Sequence, residues 1–285
     1  MPPSAPASSI SISRAPAPSL GGQLRLTLQA TLASWRAMAA NRLLAGNMWG
    51  FLAMWLLRPV LELSIAALIY GRARPDLLRY VAVALATSVF TFNAIYYVGE
   101  ILDRERVRGT LVGLFLTPCP RLSWLSGFAL VGLIETVAAA GVGLIYARYA
   151  LGVRYDPDWP ALALALALFL LALWGMGYVF SAIGLYIKKA NPFSNLVSPF
   201  VILLGGAYYP VALLPDPLRY VARALPFGYG MQALADAALY HAGIGDLASQ
   251  LIPLAGFALA LPVAGVLAFG WVERVVRVRG ELDLY

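Results

Sequence analysis

The sequence predicts an all-α integral membrane protein with six transmembrane helices. An interfacial helix precedes the first span, a charged cytoplasmic segment follows the second, and short helices re-enter from the outer face before the last. Three observations predict this. Hydrophobic residues fill 61% of the 285 positions and charged ones only 12%, about half the share of charge a soluble domain carries, and the mean hydropathy is +0.75. Six apolar runs approach the ~20 residues a helix needs to cross a ~30 Å hydrocarbon core. The Lys and Arg residues are biased toward alternate connections, as they are when positive charge stays on the cytoplasmic side.

The same composition excludes several function classes. The net charge of +7 resides in short clusters beside apolar runs, where it orients helices and meets anionic headgroups; it does not imply nucleic acid. Cys119 is the only cysteine and His241 the only histidine, so neither an intrachain disulfide nor a zinc site has its ligands.

Residues 1–22 are rich in Pro, Ser and Ala. They lack the apolar centre of a signal peptide and bury too little to fold, which predicts a disordered cytoplasmic tail. From Gln23 to Asn41, Leu24, Leu28, Leu32 and Trp35 recur at helical spacing while Arg25, Gln29 and Arg36 fall on other faces. Such a basic amphipathic helix lies in the membrane interface, or else packs on a soluble partner.

The expected spans are Asn47–Tyr70, Tyr80–Val98, Trp124–Tyr146, Ala161–Ile187, Leu196–Tyr209 and Leu247–Trp271. The first is interrupted by Arg58, Pro59 and Glu62, the third contains Glu135, and the fifth is short and ends at Pro210. With a cytoplasmic N-terminus, thirteen of the 21 Lys and Arg residues fall inside, seven fall outside, and Arg58 lies within the membrane. That bias places both termini in the cytoplasm, although Arg72, Arg74 and Arg79 of the first outer loop oppose it locally. Pro210 to Tyr240 is too apolar for a solvated loop and too broken by Pro and Gly for a span. Non-helical backbone at membrane depth needs protein or a wet cavity around it. Short helices dipping in from the outer face are therefore expected, either as a lid on an exit path or as a cap that stabilises the bundle.

Catalytic patterns are missing. The only lysines, Lys188 and Lys189, follow no Gly-rich turn, so no phosphate-binding loop is present. Nor does a nucleophile elbow, a zinc-protease motif or a paired-Cys motif occur. Any uphill transport must draw its energy from elsewhere. Ionisable groups within spans cost ~2.5–3.5 kcal/mol each at the centre, which singles out Arg58, Glu62 and Glu135 as polar lining of a pathway or a proton site, or as an interhelical clasp joining spans one and three. Arg58 and Glu62 are four apart on one helical face and can neutralise each other. Glu135 has no partner nearby in sequence and needs Arg58, a hydroxyl, a wet cavity or a proton. The tryptophans mostly sit near span ends, as aromatic belts do, while Tyr208 and Tyr209 stand at the outer end of span five.

Two motif regions carry a resemblance. After span two, Glu105 precedes Gly109-Thr110-Leu111, followed by Leu114, Thr117-Pro118 and Arg121. After span five come Gly206, Tyr209-Pro210, Leu214-Pro215, and Leu225-Pro226 with Tyr229. In this order the chain resembles the membrane subunit of an ABC-2 type exporter, over roughly residues 23–273. Val112 stands where that family often has a second Glu, and Ala235 where it often has an Arg.

The resemblance implies an ABC-2, or type V exporter-like, transmembrane domain at 23–273 between the tail 1–22 and a cytoplasmic tail 274–285. It implies a bacterial cytoplasmic membrane and a dimer, homo- or heteromeric with a second permease, that docks two copies of a separate ABC ATPase. No cofactor is expected on this chain, with ATP and Mg on the partner. Asp103, Glu105, Arg106, Arg108, Gly109, Thr110 and Leu111 resemble the family's coupling helix, a water-facing charged segment whose sign pattern suits a partner's groove. Gly109 would end that helix. Tyr208, Tyr209, Pro210, Pro215, Pro226 and Tyr229 become candidates for the outer gate. The implied function is outward transport of hydrophobic or amphipathic molecules such as drugs, antibiotics or lipids, by alternating access along spans one, two and five. The alternatives are a polysaccharide or glycolipid exporter of the same family and an ion-coupled secondary carrier. A membrane-embedded transferase finds no acidic metal-binding cluster in the sequence.

Overall fold

A computed structural model describes residues 48–278 apart from 72, 112, 114–120 and 188–189, together with 25, 29, 32, 33 and 36. The expected tail 1–22, the apolar Leu24, Leu28 and Trp35, the turn residues Leu114 and Thr117 to Cys119, Lys188 and Lys189, and residues 279–285 lie outside the described residues. Arg25, Gln29, Leu32, Ala33 and Arg36 are helical and exposed, a stripe at helical spacing.

Every regular element among the described residues is helical. In order they are α1 (Met48–Tyr70), α2 (Pro75–Phe92), a π-helix (Asn93–Val98), α3 (Ile101–Val107), α4 (Arg121–Tyr149), α5 (Trp159–Ile187) and α6 (Ala190–Leu204). A 3-10 turn (Val211–Leu213), α7 (Asp216–Arg223), α8 (Pro226–Leu239) and α9 (Ala248–Val278) complete the chain. Proline sets several of these starts. Pro75 and Pro226 occupy the first turns of α2 and α8, where a missing N–H costs nothing and φ is already helical. Before α5, Asp158 accepts the N–H of Ala161 at 2.8 Å, the bond of a helix N-cap.

Four helical stretches are long and apolar enough to cross a membrane: Pro75–Val107, Trp124–Tyr149, Trp159–Ile187 and Ala248–Val276. The other two expected spans are also helices. α1 has 23 residues, while α6 has 15 and contains Pro199, about 22 Å at 1.5 Å per residue. The fifth run therefore does not continue helically to Tyr209 as expected; it stops at Leu204, and a turn through Gly205 and Gly206 follows.

The second run differs in the opposite sense. α2, the π-helix and α3 form one helical stretch of 33 residues, about 50 Å long, which outreaches the hydrocarbon core. The charged segment is thus the protruding end of a span. This stretch is also the centre of the bundle: 94% of its most apolar window is buried, against 22% for α9. Within it Thr87 and Ser88 donate to the carbonyls of Val83 and Leu85 at 2.9 and 2.8 Å, whereas the hydroxyl of Thr91 is buried without a partner among the described residues. The most extensive pairing in the bundle is α5 against α9.

Candidate transport pathway and coupling segment

Between α1, the π-helix and α6 lies a cavity of about 770 Å³. Its lining is mixed: Arg58, Asn195, Tyr96, Tyr97 and Ser198 stand beside Phe92, Phe200 and Tyr208. Arg58 is held by two neighbours. Its Nε donates to Oε1 of Glu62 at 2.8 Å, and its guanidinium sits 3.7 Å from the centre of the Phe92 ring, a favourable cation–π placement. The expected i,i+4 pairing of Arg58 and Glu62 is therefore present.

The π-helix decides which way two adjacent tyrosines point. The N–H of Gly99 reaches back five residues to the carbonyl of Ala94, at 3.2 Å, which widens the helix by one residue. Tyr96 turns toward α6, where its hydroxyl meets Oδ1 of Asn195 at 3.0 Å and Oγ of Ser198 at 2.7 Å. Tyr97 turns toward α4 and donates to Oε2 of Glu135. Glu135 is thus tied to span two through a hydroxyl, while Arg58 of span one pairs with Glu62 and the Phe92 ring.

The charged segment is only partly water-facing. Ile101, Leu102 and Arg106 are buried, packed where the C-terminal ends of α5 and α9 meet, near Leu185, Phe269 and Val272. Arg106 donates from Nη2 to the carbonyl of Leu185 at 3.3 Å and from Nη1 to Asp103 at 3.4 Å. A cation at the C-terminus of α5 suits the negative end of that helix. Glu100 is buried as well, accepting from Nδ2 of Asn191 at 3.3 Å and lying 3.8 Å from Arg104. Arg104 also donates to the carbonyl of Tyr96.

Four consecutive residues remain exposed: Val107, Arg108, Gly109 and Thr110. Val107 is 79% accessible. Gly109 has φ +72° and ends the helix as expected, because only glycine takes this left-handed conformation without strain. The turn is fastened by Glu105, whose carboxylate meets Arg108 at 3.1 Å and the Thr110 hydroxyl at 2.5 Å, while its carbonyl accepts the N–H of Thr110 at 3.0 Å. The water-facing helix expected from the sequence is thus an exposed turn, with Glu105 shaping it and Arg106 and Leu111 buried beneath.

Of the candidate outer-gate residues, Tyr208 lines the large cavity. Tyr209 packs against the small cluster of Val211, Leu214 and Ala222. Pro210 and Pro215 precede the 3-10 turn and α7, and Pro226 opens α8. Tyr229 lies on α8 with its ring 6.2 Å from that of Phe257. Tyr80 donates to the carbonyl of Gly206 at 3.2 Å, fastening this outer segment to the central helix.

Sequence reasoning did not single out Tyr96, Tyr97, Asn195 and Ser198. A signal was present: Asn191, Asn195 and Ser198 repeat at i, i+4 and i+7 in an otherwise apolar run, which puts a polar stripe on one helical face.

No curated protein matches the chain. A family model described as ABC-2 type transporter matches residues 33–239, which take in the cavity, the exposed turn and most of the outer segment. That family consists of membrane subunits that carry no ATPase of their own, and it implies association with an ABC ATPase. With an all-helical fold and four helices able to cross a membrane, the chain belongs to the ABC-2 type transporter family, as a membrane permease.

Proposed function

We propose that the chain is the permease half of an ATP-driven exporter, moving hydrophobic or amphipathic molecules outward by alternating access. Two copies, or one copy with a second permease, surround a path along spans one, two and five and dock two ATPase subunits. The six-span reading places both termini in the cytoplasm of a bacterium, with Val107 to Thr110 on the same side. What carries this proposal is the continuous run Pro75–Val107, helical except for a turn at Gly99 and Glu100. Tyr96 and Tyr97 line the cavity on this stretch, and the exposed turn begins within three helical turns of them. A push on Val107, Arg108 and Thr110 would reach the cavity wall through α3 and the π-helix, and Asp103, Glu105, Arg106, Gly109 and Leu111 would hold the turn in shape.

The lining also bears on cargo. Five aromatic rings (Phe92, Tyr96, Tyr97, Phe200 and Tyr208) stand beside Asn195 and Ser198, a combination that offers both apolar faces and hydrogen bonds. This favours an amphipathic cargo such as a lipid or drug, and it keeps a glycolipid as the second reading. Glu62 and Glu135 border this path as positioning groups for Arg58 and Tyr97.

The test is reconstitution of the chain with a candidate ABC ATPase in vesicles and a small substrate panel. ATP-dependent export is expected, with Arg108→Glu uncoupling ATP hydrolysis from transport. Transport by this chain alone, driven by a proton gradient without ATP, would establish the ion-coupled carrier instead.

A further inference from the structure

A second cavity, of about 420 Å³, lies among α7, α8 and the first turn of α9. It is far from the α3 segment. The C-terminal part of α9, at Phe269, Val272 and Val276, packs with Ile101 and Leu102, whereas Ser249 and Gln250 at its N-terminal end line this cavity. α9 is long enough to cross the bilayer, and the cavity lies at the end of it opposite the α3 segment.

Its polar lining is rich in donors. Arg219 and Arg223 are four apart on α7 and both line the space; like charges at this spacing repel. Arg219 is fixed in place: Nη2 donates to the carbonyls of Ala212 and Leu214 at 3.0 and 2.8 Å, and Nη1 lies 3.2 Å from Asp216. Its Nε is buried without a partner. Arg223 is exposed and has no hydrogen-bond or ion-pair partner among the described residues. Gln250 accepts the Ser249 hydroxyl through Oε1 at 2.8 Å, which leaves its NH2 group to donate. No Asp or Glu lines the cavity. Three carboxylates on or beside the elements that form it are engaged elsewhere, Asp216 with Arg219, Asp236 with Gln232 and Asp246 with the Gly243 N–H. Tyr229 and Gln232 also line the cavity, and Val211, Ala222 and Pro253 add apolar wall.

We propose that this cavity binds the phosphate group of an anionic amphiphile at the membrane face opposite the α3 turn. Arg223 supplies the open charge, Arg219 a fixed one, and Gln250 a neutral donor. A phosphate offers several acceptor oxygens and a guanidinium several donors in a planar fork, so the two match in charge and geometry. A bound phosphate also relieves the repulsion between the two arginines. The cavity holds on the order of a dozen groups the size of a water molecule, at about 30 Å³ each, enough for a phosphoglycerol headgroup. The assignment is independent of ATP coupling, since neither arginine lines the larger cavity.

The experiment uses the full chain purified in a neutral detergent, titrated with short-chain phosphatidylglycerol, short-chain phosphatidylcholine or inorganic phosphate. Thermal unfolding by tryptophan fluorescence reports binding, and native mass spectrometry counts retained lipid. Phosphatidylglycerol is expected to raise the unfolding midpoint, and Arg223→Gln to weaken its binding roughly tenfold or more. Arg223→Lys keeps part of the effect. Arg154→Gln, a change at an exposed arginine of the α4–α5 loop, leaves it intact. Gln250→Leu is the second variant, expected to weaken binding without removing charge. A shift with inorganic phosphate that also depends on Arg223 identifies free phosphate as a sufficient ligand. The proposal is overturned if Arg223→Gln and Gln250→Leu both bind phosphatidylglycerol as the wild type does, or if phosphatidylcholine gives the same Arg223-independent shift.

Discussion

Tyr97 donates its hydroxyl to Oε2 of Glu135, joining the π-helical stretch of the central span to the middle of α4. The bond lies beside the large cavity, because Tyr97 also lines it. It accounts for a carboxylate in the middle of an apolar helix without requiring that Glu135 carry a transported proton. An ion-coupled mechanism would need Glu135 to gain and lose a proton in each cycle, whereas a clasp needs only the contact. Interhelical hydrogen bonds within membranes contribute about 0.6 kcal/mol on average and up to about 1.7. Tyr97→Phe should therefore lower stability by about 1 kcal/mol, and Glu135→Gln, which still accepts the hydroxyl, by less. Thermal unfolding checks both. ATP-driven export should survive Glu135→Gln; its loss in a variant that unfolds at the wild-type temperature would show Glu135 to be more than a clasp.

Arg106 and Arg108 are two residues apart in the same cluster and should respond in opposite ways. Arg106 is buried and bonded to Leu185 and Asp103, so Arg106→Ala leaves a buried carbonyl and a half-buried carboxylate short of a donor. Hydrogen bonds to charged groups are worth about 1.5–3 kcal/mol, and a loss of that order is expected in unfolding measurements. Arg108 is exposed, and its contact with Glu105 is of the surface kind, worth ~0–1 kcal/mol. Arg108→Glu should leave the unfolding temperature nearly unchanged while uncoupling ATP hydrolysis from transport. A stable Arg106→Ala variant would contradict the anchoring role.

This contrast shows where the sequence ceased to be informative. The apolar runs were legible because hydrophobic length is a property of consecutive residues: each of the six overlaps a helix, four of them long and apolar enough to cross a membrane, while the helix of the fifth run ends at Leu204. Gly109 was legible for the same reason: a glycine after a charged helical run predicts a left-handed turn, and φ is +72°. What could not be read depends on neighbours distant in sequence. Arg104, Arg106 and Arg108 look alike on the page, yet the C-terminal end of α5 covers one of them. The π-helix adds a residue to a turn without altering any apolar pattern, so the opposite directions of Tyr96 and Tyr97 had no local signature. The same holds for the shared cavity of α1, the π-helix and α6, whose polar residues come from three separate runs.

The α5–α9 pairing rests on two glycines facing each other. A methyl group at Gly175 would lie 2.6 Å from Cδ of Pro262 and closer still to its backbone nitrogen, and one at Gly265 would lie 2.6 Å from the carbonyl oxygen of Gly175. These neighbours belong to helix backbone or to a proline ring, so no side-chain rotation makes room. Small residues at such crossings let membrane helices approach closely enough to pack. Gly175→Ala should cost at least the ~1–3 kcal/mol typical of overpacking and separate α5 from α9. Gly256, on α9 with open space around it, is the control: Gly256→Ala should be neutral. Unfolding curves that fail to separate the two variants would contradict this packing.

Tyr155 links the α4–α5 loop to α4, its hydroxyl donating to the carbonyl of Leu144 at 2.9 Å. Burial raises its pKa from the usual 10 to about 12, outweighing the nearby Arg148, which acts in the opposite direction. Because the folded value lies above the unfolded one, the protonated phenol's contribution to stability is fully present below pH 10 and is lost as pH rises toward about 12. Tyr155→Phe removes the hydrogen bond and should cost about 1 kcal/mol at neutral pH. It also removes the titration. Wild type and variant should therefore converge in stability as pH climbs through that window, a comparison in which every other tyrosine cancels. Parallel losses in the two proteins would mean that Tyr155 ionises as freely in the folded chain as in the unfolded one.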